Sequence, residues 1–428
     1  MAWIEQLLKE GAKRVDEIEV FYAKSTTVSA NLKRRKVNLA VASDDCGLAV
    51  RTIRDGRIGS SNTNSPERWR ECLKAAIASG DLATPQSWKG LPRPATGPAT
   101  DTLCFDPALA VEPENASQLL TAMMEGSEEH PADITSGSAT LSSTLITLAN
   151  NAGLYLTSRH TGVSVSLEAI SGQSTGSEFA QSCFMDIDPR SVGERAAFFA
   201  SHSVGGQDIP SGIYDVILSP IAYAELLSAV YIPALSGRNV HAGRSRLATL
   251  LNEQVLDARF SVYDNPLLAK GLGSALWDGE GVPTRRIDFI RDGVLKEFAY
   301  DLRTAYRYGK TSTGSAIRAG ATGGTAIGHH NLIVDGPRTD ITKDRAIYIH
   351  SVIGAHTANP MSGDFSVEMS NAFWMEDGSF CEPIRSAMLA GNVFDMHASV
   401  AGLSREVRQI GSLVLPSIRL SGLRVIGK

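Results

Sequence analysis

Residues 356–367, His-Thr-Ala-Asn-Pro-Met-Ser-Gly-Asp-Phe-Ser-Val, gather a histidine, an asparagine, an aspartate and two serines in a stretch with no hydrophobic period. Asn359-Pro360 and Ser362-Gly363-Asp364 set tight turns, and the polar side chains between them offer donors and acceptors to whatever lies against them. The run suits a substrate-lining loop, and a plain surface loop is the alternative. Metal chemistry is harder to place. The nine histidines include no HExxH or HExxxH, the helical spacings that set two imidazoles beside a carboxylate. His329 and His330 are adjacent and His350 lies six before His356, so neither pair matches a common ligand spacing. They read as satisfied polar histidines. Ser312-Thr313-Gly314-Ser315 lacks the strand-to-helix setting of a nucleophile elbow, and residues 320–325 lack the Lys-Ser/Thr of a phosphate-binding P-loop.

The elements that must position this loop read as follows. Residues 365–370 and 372–375 alternate as strand, and Glu376-Asp377-Gly378-Ser379 makes a hairpin turn, so the polar run stands at the entry of a β-sheet. At the N-terminus, an amphipathic helix over residues 3–14 precedes strands at 17–23, 27–32, 36–43 and 47–54, with Asp55-Gly56 turning into 57–61. Lys33-Arg34-Arg35-Lys36, the only basic cluster, reads as a solvated edge of that meander. A helix over 66–79, capped by Ser65 with Pro66 at its first position, carries Trp69, Cys72, Leu73, Ala76 and Ile77 at helical spacing. Six prolines in residues 84–113 mark a strap without regular elements. A second unit repeats the order: a helix at 116–127, strands at 138–148, 154–159, 162–171 and 178–186, and a helix at 189–201. Beyond the linker at 205–212, strands dominate, with a helix at 220–234 as the main exception.

The expected fold is therefore α+β: an N-terminal domain over residues 1–113 including the strap at 84–113, a second α+β domain over 114–205, and a large β-rich C-terminal domain over 212–428. The chain has 428 residues, long enough for several cores. No apolar run reaches membrane-spanning length, and a net charge of −5 without a basic stripe gives no footprint for nucleic acid. The acid-bearing N-terminal helix lacks the layout of a signal peptide, which favours the cytoplasm. Five cysteines without CxxC spacing imply neither a disulfide framework nor a zinc ribbon.

Several stretches match a known family. Residues 212–220 (Gly-Ile-Tyr-Asp-Val-Ile-Leu-Ser-Pro), 278–284 (Asp-Gly-Glu-Gly-Val-Pro-Thr), Gly293 to Lys296 with Tyr300-Asp301, Ser312-Thr313-Gly314, residues 359–367 and Ala390-Gly391-Asn392 resemble the TldD/PmbA family, long called modulators of DNA gyrase. Ala49-Val50-Arg51 and residues 55–59 resemble its first domain, so the likeness runs along nearly the whole chain. In the TldD branch a helix carries HExxxH and a cysteine near the C-terminus completes a zinc site. The matching helix here places Ser228, Ala229 and Pro233 at those three positions, and no cysteine follows Asn392. The chain thus resembles the TldE (PmbA) branch, which lacks the zinc motif.

The resemblance implies a heterodimeric cytoplasmic zinc metallopeptidase acting on unfolded or ribosomally made peptides. A TldD-type partner supplies zinc and base, and this chain, with no catalytic residue and no cofactor of its own, helps hold an extended peptide. Main-chain hydrogen bonding would make such binding tolerant of peptide sequence. The expected substrate contacts are Thr313, Gly314, His356, Asn359, Gly363, Asp364 and Ser366. A homodimer in the partner's absence is compatible with this. The rival readings are a stand-alone regulatory protein of the gyrase-modulator type and a homodimeric scaffold without hydrolysis.

Overall fold

The computed structural model describes all 428 residues. Its first sheet has seven strands and joins the first two stretches of the chain. Glu17–Lys33 pairs antiparallel with Lys36–Arg54 on one side and with Asp133–Asn150 on the other, and Tyr155–Ser171 and Ser174–Ser182 follow beyond. Each of the first two strands is one long element where a break had been expected near its middle. The polar residues there do not turn the chain because they bond across the sheet: Ser25 Oγ meets Thr144 Oγ1 at 2.9 Å, and Thr26 Oγ1 donates to Asp44 at 2.6 Å. The basic cluster is the hairpin tip rather than an edge, with Arg34 and Arg35 both at positive φ (49° and 59°). Asp55-Gly56 and Asp377-Gly378 make the hairpin turns expected of them, all four residues at positive φ.

Helices cover one face of this sheet. Trp69–Asp81 buries Trp69, Cys72, Leu73 and Ala76 in a core shared with the Ala2–Gly11 helix. Its first turn, Pro66–Arg68, is 3₁₀, and Ser65 makes no capping bond. Pro113–Ser127 and Pro189–His202 pack on each other, where Gly126 and Gly193 permit close approach: an added Cβ would stand 1.9 Å from the carbonyl oxygens of Arg190 and Met123.

The C-terminal part is an eleven-stranded sheet. Five of its strands close on themselves: Leu413–Ile426 pairs with Met388–Asn392, then Asp364–Glu376, Ala346–Ile353 and Gly212–Leu218, which returns to Leu413–Ile426. Closure removes the sheet edges. The largest core lines this barrel and the Pro220 helix, with Val216, Leu218, Ile347, Ile349, Val367 and Leu389 nearly inaccessible. Opposite, the outer barrel face splits in two. Ile217, Tyr348, Phe373 and Met375 pack under Phe199 of the Pro189–His202 helix. A second row, Ile353–Glu368–Met388–Ile426 in direct register, is exposed together with Ile213.

Candidate functional site

The Pro220 helix, the one expected to correspond to the zinc-motif helix of the TldD branch, begins conventionally. Ser219 caps it, its Oγ accepting from the N–H of Ile221 (3.1 Å) and Ala222 (3.2 Å), and Pro220 occupies the first turn. After Leu226 the winding widens to a π-turn over Leu227–Tyr231 before resuming as Ile232–Ala234. Pro233 has no N–H to give and crowds the carbonyl four residues back, which accounts for the loosened turn ahead of it. Ser228 is exposed, with Ala229 and Pro233 half-buried. Glu225 is the only carboxylate of this helix, and burial pushes it up to about 6.

Behind the π-turn lies a neutral polar core. His397 Nδ1 donates to the Val393 carbonyl (2.7 Å), leaving Nε2 to accept from the Tyr223 hydroxyl (2.7 Å). Burial pushes His397 down to about 4, so it does not ionise near neutral pH. The Tyr231 hydroxyl, in the π-turn, is buried without a partner, and its own pKa is raised by burial. No group of three or more His, Cys, Asp or Glu side chains stands close enough to hold a metal.

The polar loop is organised from within. Asn359 Oδ1 accepts from the N–H of Met361 (2.9 Å) and Ser362 (3.2 Å), while its backbone exchanges bonds with Gly363 and Asp364. Asp364 accepts from the Ser362 hydroxyl (2.7 Å) and the Asn392 amide (2.8 Å), which together hold its carboxyl below the usual range. Gly363 sits at φ 91°, and a Cβ there would meet the Phe394 ring at 2.5 Å. Arg246 locks the assembly, donating to the Ser362 carbonyl (3.1 Å), Asn392 Oδ1 (3.2 Å) and Asp395 (2.9 Å). His356 lies in the preceding 3₁₀ turn, and Asn359, Asp364 and Ser366 are exposed as well.

Thr313 and Gly314 stand elsewhere. Thr313 is buried, its hydroxyl accepting from the Tyr300 N–H (2.8 Å) and bonding Ser315 (2.7 Å); Gly314 sits at φ 71° against the Pro283 carbonyl. No hydrogen bond joins this pair to the Asn359 loop, so the expected contacts form two clusters. Arg246 was missed because an isolated arginine in a turn-rich segment carries no local signal.

The motif stretches meet at a third place. Arg51, between the first sheet and the C-terminal part, pairs with Glu280 and with Glu19 (2.8 Å), and Arg318 also pairs with Glu19. Both carboxylates are at most 1% exposed. Glu280 Oε2 accepts in turn from the Leu302 N–H (2.7 Å), and Asp301 caps that helix by accepting from Thr304. Beside them Asp278 receives the N–H groups of Glu280, Val282 and Ala316 at 2.9–3.0 Å; burial and the Glu280 charge push it up to about 7. Three motif stretches, distant in sequence, thus form one interdomain joint. Gly172-Gln173-Ser174-Thr175-Gly176 fits the Gly-x-Ser-x-Gly pattern, but it forms the hairpin between Tyr155–Ser171 and Ser174–Ser182, and Ser174 donates to the Ser203 carbonyl. It is no nucleophile elbow.

Comparison with known proteins accounts for these shared motifs. Residues 18–80, 106–204 and 211–427 match, in order, domain 1, the central domain and the C-terminal domain of the PmbA/TldA metallopeptidases. An uncharacterized protein of Methanocaldococcus jannaschii is 30% identical over 98% of this chain and 99% of its own length. The metalloprotease PmbA of Escherichia coli O157:H7 is 22% identical over 98% of this chain and 95% of its own. The crystal structure of TldE from Thermococcus kodakarensis superposes with a TM-score of 0.90, at 25% identity, covering 99% of this chain and all of that one. With its three domains matched in order and a relative aligned end to end, the chain belongs to the PmbA/TldD metallopeptidase family.

Proposed function

We propose that the chain is the TldE/PmbA-type subunit of a TldD–TldE peptidase, acting on unfolded or ribosomally made peptides without zinc of its own. The observation that carries this is the Pro220 helix, in which the family resemblance sets Ser228, Ala229 and Pro233 against the ligand and base positions of the TldD branch. Serine, alanine and proline provide none of the histidine, cysteine or carboxylate donors that zinc takes, and Glu225 alone cannot hold it. Zinc does not fit this helix. The chain's part is to bind and orient: the Asn359 loop presents exposed amide and carboxylate groups, and its internal bonds pre-order them for an extended peptide. The exposed row of Ile353, Met388 and Ile426, with Ile213 at 66% exposure, supports docking of a TldD-type partner through the outer barrel face.

Elemental analysis and peptidase assays on the chain, on a TldD relative from the same source, and on their mixture test this reading. Expected are no stoichiometric zinc and no cleavage by the chain alone, activity in the mixture, and loss of co-elution on size exclusion for Ile353→Asp. About one zinc per chain, kept through mild chelation and accompanied by chelator-sensitive cleavage, would overturn it. So would a TldD relative fully active alone that never co-elutes.

A further inference from the structure

A cavity of about 730 Å³ lies between the Pro189–His202 helix and the covered half of the outer barrel face. None of the expected peptide contacts lines it. One side carries a charge cluster built on buried Glu178, with Arg195 and Arg408 reaching the lining at 49% and 27% exposure. Glu178, 1% exposed, accepts both terminal nitrogens of Arg408 (3.1 and 2.6 Å) and Nε of Arg195 (3.0 Å). Arg195, Arg405 and Arg408 stand against Glu178, Glu194, Asp340 and Glu406, so the lining is not net positive and an anion would be held by free donors rather than by charge excess. Arg195 uses only Nε, so its two terminal nitrogens donate to no protein group, and neither does the Arg405 side chain. Three more acids border the cavity. Asp340 is already engaged by the N–H (3.0 Å) and hydroxyl (2.7 Å) of Thr342, while Glu194 and Glu406 are exposed.

One wall is aromatic: Phe198 packs against Phe199 at 5.4 Å and Phe380 at 5.5 Å, and Tyr348 meets Phe380 at 5.0 Å. His350 stacks on Phe199 at 3.8 Å behind that wall. It lines the cavity at 1% exposure, with Nε2 3.2 Å from the Ser177 carbonyl and Nδ1 without any partner. Burial pushes its ring down to about 4 against the opposing pull of Glu178, so it adds no positive charge to the cavity near neutral pH. The cavity's volume falls in the range of small-ligand sites, with an aromatic wall facing a polar, charged side.

We propose that this cavity binds an aromatic carboxylate, its ring against Phe198 and Phe380 and its oxyanion on the free donors of Arg195 and Arg405. A peptide ending in an aromatic residue and a free aromatic acid both carry these groups. The site needs no partner subunit, so the isolated chain suffices to test it, and its failure leaves the TldE-type reading untouched.

Calorimetric titration of the isolated chain with N-acetylphenylalanine, its C-terminal amide and Ala-Ala-Phe would test the site. Saturable binding of the acids is expected, with the amide and Arg195→Gln each weaker by about tenfold or more, the usual scale of a lost charge-assisted hydrogen bond. Arg195→Gln leaves the Arg408–Glu178 pair in place, and Arg405→Gln is the second variant should the first fail to fold. Tighter binding of the tripeptide identifies a peptide end, and equal or weaker binding identifies the free acid. Equal binding of acid and amide, unchanged binding by both arginine variants, or no saturation at millimolar ligand would overturn the proposal.

Discussion

Replacing Arg51 by methionine should break the joint between the first sheet and the C-terminal part. The four side chains there balance, with Arg51 and Arg318 against Glu19 and Glu280. Without Arg51 the cluster keeps one negative charge in excess, on carboxylates at most 1% exposed. Arg318 would still serve Glu19 and the Leu302 N–H would still serve Glu280, but neither neutralises the surplus. Stranding one partner of a buried pair costs about 3–5 kcal/mol. At roughly 2–4 °C per kcal/mol for a cooperative unit of 150–250 residues, the melting transition should fall by roughly 6–20 °C. Differential scanning calorimetry measures it. The charge argument makes a sharper demand: Arg51→Met with Glu280→Gln removes the surplus and should melt above Arg51→Met alone. If the double variant melts lower still, or if Arg51→Met shifts the transition by less than about 2 °C, the joint is not held by charge balance.

Asp278 should impose a pH dependence of definite sign. Its folded pKa of about 7 lies above the ordinary aspartate value, so the folded state holds the proton more tightly. Stability should therefore fall between about pH 4 and pH 7 and level off above, by an amount on the order of 4 kcal/mol at most. Urea unfolding of Asp278→Asn should lack that slope, and parallel curves for the two proteins would refute the assignment. For the polar loop, Asn359→Ala removes an acceptor of two N–H bonds, a loss of about 0.5–1.5 kcal/mol each. Measured on the TldD mixture, a raised KM beyond that loss of stability places Asn359 against the peptide. A lowered melting temperature with unchanged KM makes it a turn support only, and Asp364→Ala is read the same way.

Local chemistry was legible in the chain itself. Hairpins at Asp55-Gly56 and Asp377-Gly378 follow from residues that tolerate positive φ, and the Pro220 helix follows from Ser219 and a proline in its first turn. The motifs pointed to the family, and serine, alanine and proline at 228, 229 and 233 are not zinc-donor residue types. What the sequence could not settle were contacts between distant residues. Nothing near Ser25 announces that its hydroxyl will meet Thr144 and keep one strand running. Nothing near Asn359 announces Asn392 and Arg246, which turn an apparently free polar loop into a braced one. Arg51 and Glu280 are 229 residues apart, and each alone reads as an ordinary surface charge. Only the packing of two domains buries them, and burial is what converts weak surface electrostatics into a structural joint, because removing water leaves each charge dependent on the other.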